Sequence, residues 1–224
     1  MPLPHFLALE LAILLGTSSG SAHPAVLGVV VGANRVHANS AEVSTGATVY
    51  DGDKFATEEE GLLVLRGDAM TLELVEESAL VVRGKTNGAQ GTEAELIKGT
   101  LIFSTERAAA LGIAALGAHM EPSADRRTVA QITIVEPKEL RIYARRGSLQ
   151  FSYRGEMETI AEGSAFRVIL DPSEDQPRKT ETIKPGRQHK RFLLVAIGAG
   201  MAGGSVLAYE RQHHHRRVES PDRP

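Results

Sequence analysis

Short runs in which apolar and polar residues alternate recur through the middle of the chain: residues 48–50, 62–66, 71–75, 80–83, 96–104, 129–135, 140–144, 149–153 and 165–170. A strand sends successive side chains to opposite faces, so such a run gives one apolar and one polar face. Most of the runs are bounded by Gly, Asp, Asn, Glu or Pro, which close strands in turns. The pattern predicts an all-β domain of many short strands. The window 104–118 is Ala-rich and leaves helix and strand both open.

A weak internal repeat points the same way. Lys98-Gly-Thr-Leu-Ile-Phe-Ser104 and Arg146-Gly-Ser-Leu-Gln-Phe-Ser152 match in register, each reading as a turn followed by a strand with Leu and Phe on one face. A looser copy begins at Arg66-Gly67, with Met70 and Leu72 at alternate positions. Repeated units of this kind suggest a β-sandwich, a jelly-roll-like fold or a short β-solenoid. Gly46, Asp51, Gly52, Gly99, Gly147 and Gly163 are the expected turn positions.

The two ends are apolar. Residues 6–16 followed by the small residues 17–22 have the length and exit of a signal peptide, with cleavage expected after Ala22; Glu10 and the lack of Lys or Arg before the run depart from that pattern. Residues 192–209 carry no charge and, at about 1.5 Å per residue, reach about 27 Å, close to a bilayer's hydrocarbon core. Lys190, Arg191 and Arg211 flank them, so a single transmembrane helix is expected. Within it Ala196, Gly200 and Gly204 recur on one face and suggest a helix-packing surface for a homo-oligomer.

The resulting division is a signal peptide (1–22), a linker (23–35), a β domain (36–172), a Pro- and Lys-rich flexible linker (173–191), the helix (192–209) and a short tail (210–224). Export places the domain in the periplasm and the tail in the cytoplasm. Basic residues before the helix (Arg178, Lys179, Lys184, Arg187, Lys190, Arg191) outnumber those after it (Arg211, Arg216, Arg217, Arg223), which favours the opposite orientation, a tail-anchored cytoplasmic domain.

The residues that remain say more about what the chain lacks. A net charge of -3 supplies no basic field for nucleic acid. With no cysteine there are no disulfides, thiolate nucleophiles or cysteine-ligated metals, and aromatics at 4% leave little for a stacking surface. Asp51-Gly-Asp53 with Glu58, Glu59 and Glu60 fails as a calcium loop, because Ala56 and Leu62 stand where glycine and glutamate are required; a hairpin turn is the better reading. His213, His214 and His215 read as a solvated tail, and His23, His37 and His119 stand alone. No nucleophile elbow, phosphate loop or zinc-helix motif occurs, so no catalytic residue, metal ligand or cofactor is assigned.

Five segments in order resemble the FecR-type periplasmic domain: Val43-Ser-Thr-Gly-Ala-Thr-Val-Tyr-Asp-Gly-Asp-Lys-Phe-Ala-Thr57, Gly61-Leu-Leu-Val-Leu-Arg66, Leu96-Ile-Lys-Gly-Thr-Leu-Ile-Phe-Ser104, Arg146-Gly-Ser-Leu-Gln-Phe151 and Glu162-Gly-Ser-Ala-Phe-Arg-Val168. The resemblance implies an all-β domain in a receptor-to-sigma-factor signalling chain. Its best-known members place the membrane helix before the domain, whereas here the apolar stretch follows it, so the domain is carried over and the sigma-factor role is not. The expectation is a membrane-anchored, non-catalytic binding or sensory domain that takes an envelope protein, a peptide or a polysaccharide and serves signal transduction. The alternatives are an assembly protein oligomerising through its helix, or signal relay through the tail by Arg211, Arg216 and Arg217.

Overall fold

The computed structural model describes residues 24–85, 91–172 and 191–197. These residues are all β, apart from one short 3-10 turn at Ala108–Ala110. In chain order the strands are β1 (Val26–Ala38), β2 (Ala41–Glu42), β3 (Thr48–Tyr50), β4 (Lys54–Gly67), β5 (Met70–Leu74), β6 (Ala79–Gly84), β7 (Thr92–Thr105), β8 (Leu111–Ala115), β9 (Ala118–Pro122), β10 (Thr128–Glu136), β11 (Glu139–Arg146), β12 (Leu149–Tyr153), β13 (Glu156–Ile160), β14 (Ala165–Leu170) and β15 (Phe192–Ile197). The Ala-rich window 104–118 resolves as the end of β7, the 3-10 turn and β8.

All fifteen strands belong to one hydrogen-bonded sheet, whose main path runs β13-β12-β9-β8-β7-β10-β11-β14-β15. The long strand β7 carries the chain from one half of the sheet to the other. Residues 92–96 pair with β6 and β8, and residues 99–105 pair with β5 and β10. Its buried side chains change phase on the way: Ala94 and Leu96 before the bend, Leu101 and Phe103 after it. A period-two strand changes phase only by absorbing an extra residue, and the register with β6 shifts between Ala79 and Leu80. Gly99 takes up the bend at φ +81°, with no room for a larger residue: a Cβ there would stand 2.7 Å from the Ser78 Cα.

Polar groups at this corner are satisfied locally. The Thr100 N–H donates to Ser78 Oγ (2.8 Å), the Ser78 N–H donates to Thr57 Oγ1 (3.0 Å), and that hydroxyl donates to the Val75 carbonyl (2.5 Å). A buried bend without such partners would strand backbone donors away from water.

The sheet rolls until its two ends meet. Phe151 of β12 and Phe192 of β15 make an edge-to-face contact with centroids 4.9 Å apart. The Tyr153 hydroxyl donates to Asp171 just beyond β14 (2.8 Å), and the Arg191 N–H donates to Glu156 (2.9 Å). One continuous core, from Val30 of β1 to Phe192, fills the roll. Pairing is antiparallel in the described residues except for β7 with β8, the arrangement of a roll rather than of parallel stacked coils.

Several sequence expectations change here. Most of the stretch read as a linker, 23–35, is β1, which pairs with β3 and β4; Val30 is buried, and Gly28 lies so close to β4 that a Cβ would press on the Arg66 backbone. The expected runs 62–66 and 96–104 are pieces of the much longer β4 and β7. Gly99 sits inside a continuous strand, not in a turn before one. Asp51-Gly52 does form a turn, but the strands it joins, β3 and β4, both pair with β1 and not with each other. At the other end, Phe192–Ile197 is a strand, with Phe192 against the core and its backbone paired with β14. A run that begins with Phe, Leu, Leu and Val satisfies a sheet edge as readily as a helix. No helix among the described residues is long and apolar enough to cross a membrane. Residues 198–209, the signal segment and the tail lie outside the described residues.

Candidate functional site

Four neighbouring strands, β5, β7, β10 and β11, place two kinds of row across the sheet. Leu72, Phe103, Ala130 and Ala144 lie opposite one another and face the core. On the other face Thr71, Ser104, Val129 and Arg146 form one row, and Glu73, Ile102, Gln131 and Tyr143 form the next. This second face is hollowed into an open groove of about 540 Å³ lined by Thr71, Glu73, Ile102, Ser104, Val129 and a cluster of charged rim residues. Its volume suits a small ligand or a few residues of peptide.

A β-bulge builds the rim. Val129 pairs with Arg146 and the next residue, Ala130, pairs with Ala144, so Arg145 and Arg146 together oppose Val129. The extra residue re-aims its neighbour, and both arginines line the groove instead of alternating across the sheet. Arg127 and Glu162 complete the rim, with Glu162 held 3.4 Å from Arg126.

Glu73 is the unusual member. It is 9% exposed and makes no hydrogen bond or ion pair with any described residue. Burial disfavours its ionised form and pushes its pKa up to about 7. In the same row the Gln131 amide donates to Thr133 (3.4 Å), while its Oε1 is buried without a partner. The row thus holds one buried acceptor without a partner, Gln131 Oε1, and beside the groove one carboxyl, Glu73, without a protein partner.

The groove lining holds no histidine to activate the Thr71 or Ser104 hydroxyl. Among the described residues no group of three metal-ligating side chains comes together.

The residues singled out from sequence lie elsewhere. Gly46, Gly52, Gly99, Gly147 and Gly163 all adopt positive φ, and Asp51 accepts from the Gly84 N–H (2.9 Å); they shape the fold and do not line the groove. Ala196 is exposed on β15 opposite Phe166, while Gly200 and Gly204 lie outside the described residues, so the helix-packing face is not formed at Ala196. Glu58 pairs with His37 (2.7 Å) and Glu60 with Arg35 (3.0 Å), and no cation site arises there. Glu73, Gln131, Arg127, Arg145 and Arg146 were missed, although two signals were present: a glutamate between Leu72 and Leu74, and an arginine pair that breaks the alternation of β11.

Two crystal structures of a "putative anti-sigma factor" from Parabacteroides distasonis resemble this chain, each with a TM-score of 0.42 and 11% sequence identity, covering 52% of this chain and 54% of the other. The chain spans about half the length of these neighbours. No family model matches it, and no curated protein matches it.

Proposed function

We propose that the chain is a non-catalytic binding and sensory domain of the FecR type, which faces the cell envelope and takes its ligand in the β5-β7-β10-β11 groove. The observation that carries this reading is Glu73, a nearly buried carboxyl with no partner in a groove rimmed by guanidinium groups. A lone buried carboxyl costs stability, and a ligand that supplies the missing donor recovers that cost on binding.

Membrane attachment is the second element of the proposal. Phe192–Ile197 can serve as β15 or as the first turns of a spanning helix, not as both, because a helix directs its backbone hydrogen bonds inward and β15 gives its own to β14. A domain anchored by residues 192–209 therefore releases β15 from the roll.

Two experiments test the reading. A reporter active only outside the cytoplasm, fused after Pro172 or after Pro224, is expected to be active at the first position and silent at the second; the reverse pattern refutes an envelope-facing domain. For the groove, a photo-crosslinking residue at Ile102 is expected to give a discrete adduct in whole cells. The same residue at Ile97, exposed on the same strand but outside the groove, is expected to give none. Equal labelling at both positions overturns the groove as the binding site.

A further inference from the structure

The chemistry around the groove is two-ended. At one end Arg146 and Arg127 make no ion pair with a carboxylate among the described residues, and the bulge sets Arg145 beside Arg146. At the other end, on β5, stands Glu73, whose carboxyl has no partner among the described residues. Between them Ile102 and Val129 are half-buried and apolar. The strands β5 and β11 are three strand spacings apart, about 14 Å. After the inward reach of the side chains, this leaves room for two or three extended residues, at about 3.3 Å each.

Resting on the binding reading above, we propose that the groove is a receptor for a free peptide C-terminus: Arg146, with Arg127 at the rim, takes the terminal carboxylate, the apolar floor takes an aliphatic side chain, and an upstream peptide N–H donates to Glu73. A guanidinium pairs with a carboxylate through two parallel hydrogen bonds, which fixes the orientation of the bound end. The upstream amide is the donor that the Glu73 carboxyl does not find within the described residues.

Other ligand classes fit less well. A phosphate dianion would meet the two carboxyl groups in the lining, Glu73 and Glu162. A sugar would find no platform, since the one aromatic ring in the lining, Phe103, is 1% exposed and turned to the core. A peptide carries both the single negative charge and the donors that the two ends call for.

The test is direct binding to the full chain by calorimetry. The probes are a mixture of tripeptides ending in Ala, Val or Leu as free acids, the same mixture amidated at the C-terminus, and inorganic phosphate. Free acids are expected to bind, with amidation or Arg146→Gln weakening them about ten- to a hundred-fold, the loss expected for a hydrogen-bonded charge. Glu73→Gln keeps the shape of the side chain while removing its charge, and is expected to weaken the free acids without restoring the amides. Equal binding of acids and amides, binding of phosphate in place of peptide, or no binding of any probe overturns the peptide C-terminus as the ligand. The two levels fail separately. An envelope-facing domain whose Ile102 crosslinks in cells but which ignores the tripeptides loses only the ligand class, whereas carboxylate-dependent binding by a cytoplasmic domain loses only the location.

Discussion

Replacing Glu73 with Gln is expected to make the protein more stable, by an amount that grows as pH rises from about 4.5 to about 7. In the unfolded chain the carboxyl titrates near 4.5; in the groove, burial moves it to about 7. Between these values the folded protein holds a proton that the unfolded chain has released, so folding stability falls as pH rises through the window and the full penalty is present above about 7. At about 1.4 kcal/mol for each pH unit between the two values, the penalty is at most about 3 kcal/mol, and the water that reaches the open groove trims it. Glutamine has the same shape and does not titrate. The wild type and the variant are compared by thermal unfolding across pH 4 to 9, where every other titrating group is common to both and cancels. The difference is expected to grow from its value near pH 4 by up to about 3 kcal/mol near pH 8, about 6 to 12 °C in melting temperature for a domain of this size. A difference that stays flat across the range would refute the reasoning, since it would mean that Glu73 has a partner holding it ionised.

Three further outcomes follow from the roll. Gly99→Ala combines a positive φ with overlap against Ser78 and is expected to cost about 2 to 4 kcal/mol in denaturant unfolding, whereas Gly52→Ala, at a positive φ with no atom within 4 Å of the new Cβ, is expected to cost only about 1 kcal/mol. Ser78→Ala strands the Thr100 N–H at the buried bend and is expected to cost about 1 to 3 kcal/mol by the same measurement. Phe192→Ala removes the ring that meets Phe151 and is expected to cost about 3 to 5 kcal/mol if β15 belongs to the folded domain; a stability unchanged from wild type would show that residues 192–197 leave the sheet.

The fold class was legible because period-two alternation survives wherever one face of a strand is buried. Thr48–Tyr50, Leu149–Tyr153 and Ala165–Leu170 were located to the residue for that reason. Where alternation fails, the reading failed with it. β1 carries Gly28, Gly32, Asn34 and Arg35 within a strand whose register shifts twice against β4, so between its buried residues Val30 and Val36 no apolar alternation marks the inward face. β13 exposes Met157 at 66% and shows no apolar face to recognise. Phe192–Ile197 posed a different problem. An apolar run long enough to span a bilayer is also a good edge strand, and composition does not separate the two; what the strand gains, the contact of the Phe192 ring with Phe151, is not visible in the sequence.

The groove was illegible for a related reason. A search for motifs looks for residues close in sequence, whereas Glu73, Gln131 and Arg146 come from three strands brought into register by the bend at Gly99 and the bulge at Arg145-Arg146. Both devices leave the same trace, a slip of one residue in the alternation. At Ile97, two residues before Gly99, the slip keeps apolar residues on the inner face as β7 changes partners, and it is structural. At Arg145-Arg146 it turns a second guanidinium toward a face that the alternation would otherwise have denied it, and the core gains nothing from it. A slip that serves the core is explained by packing alone, whereas a slip that gathers charge beside a carboxyl without a protein partner is the feature on which the proposed ligand rests.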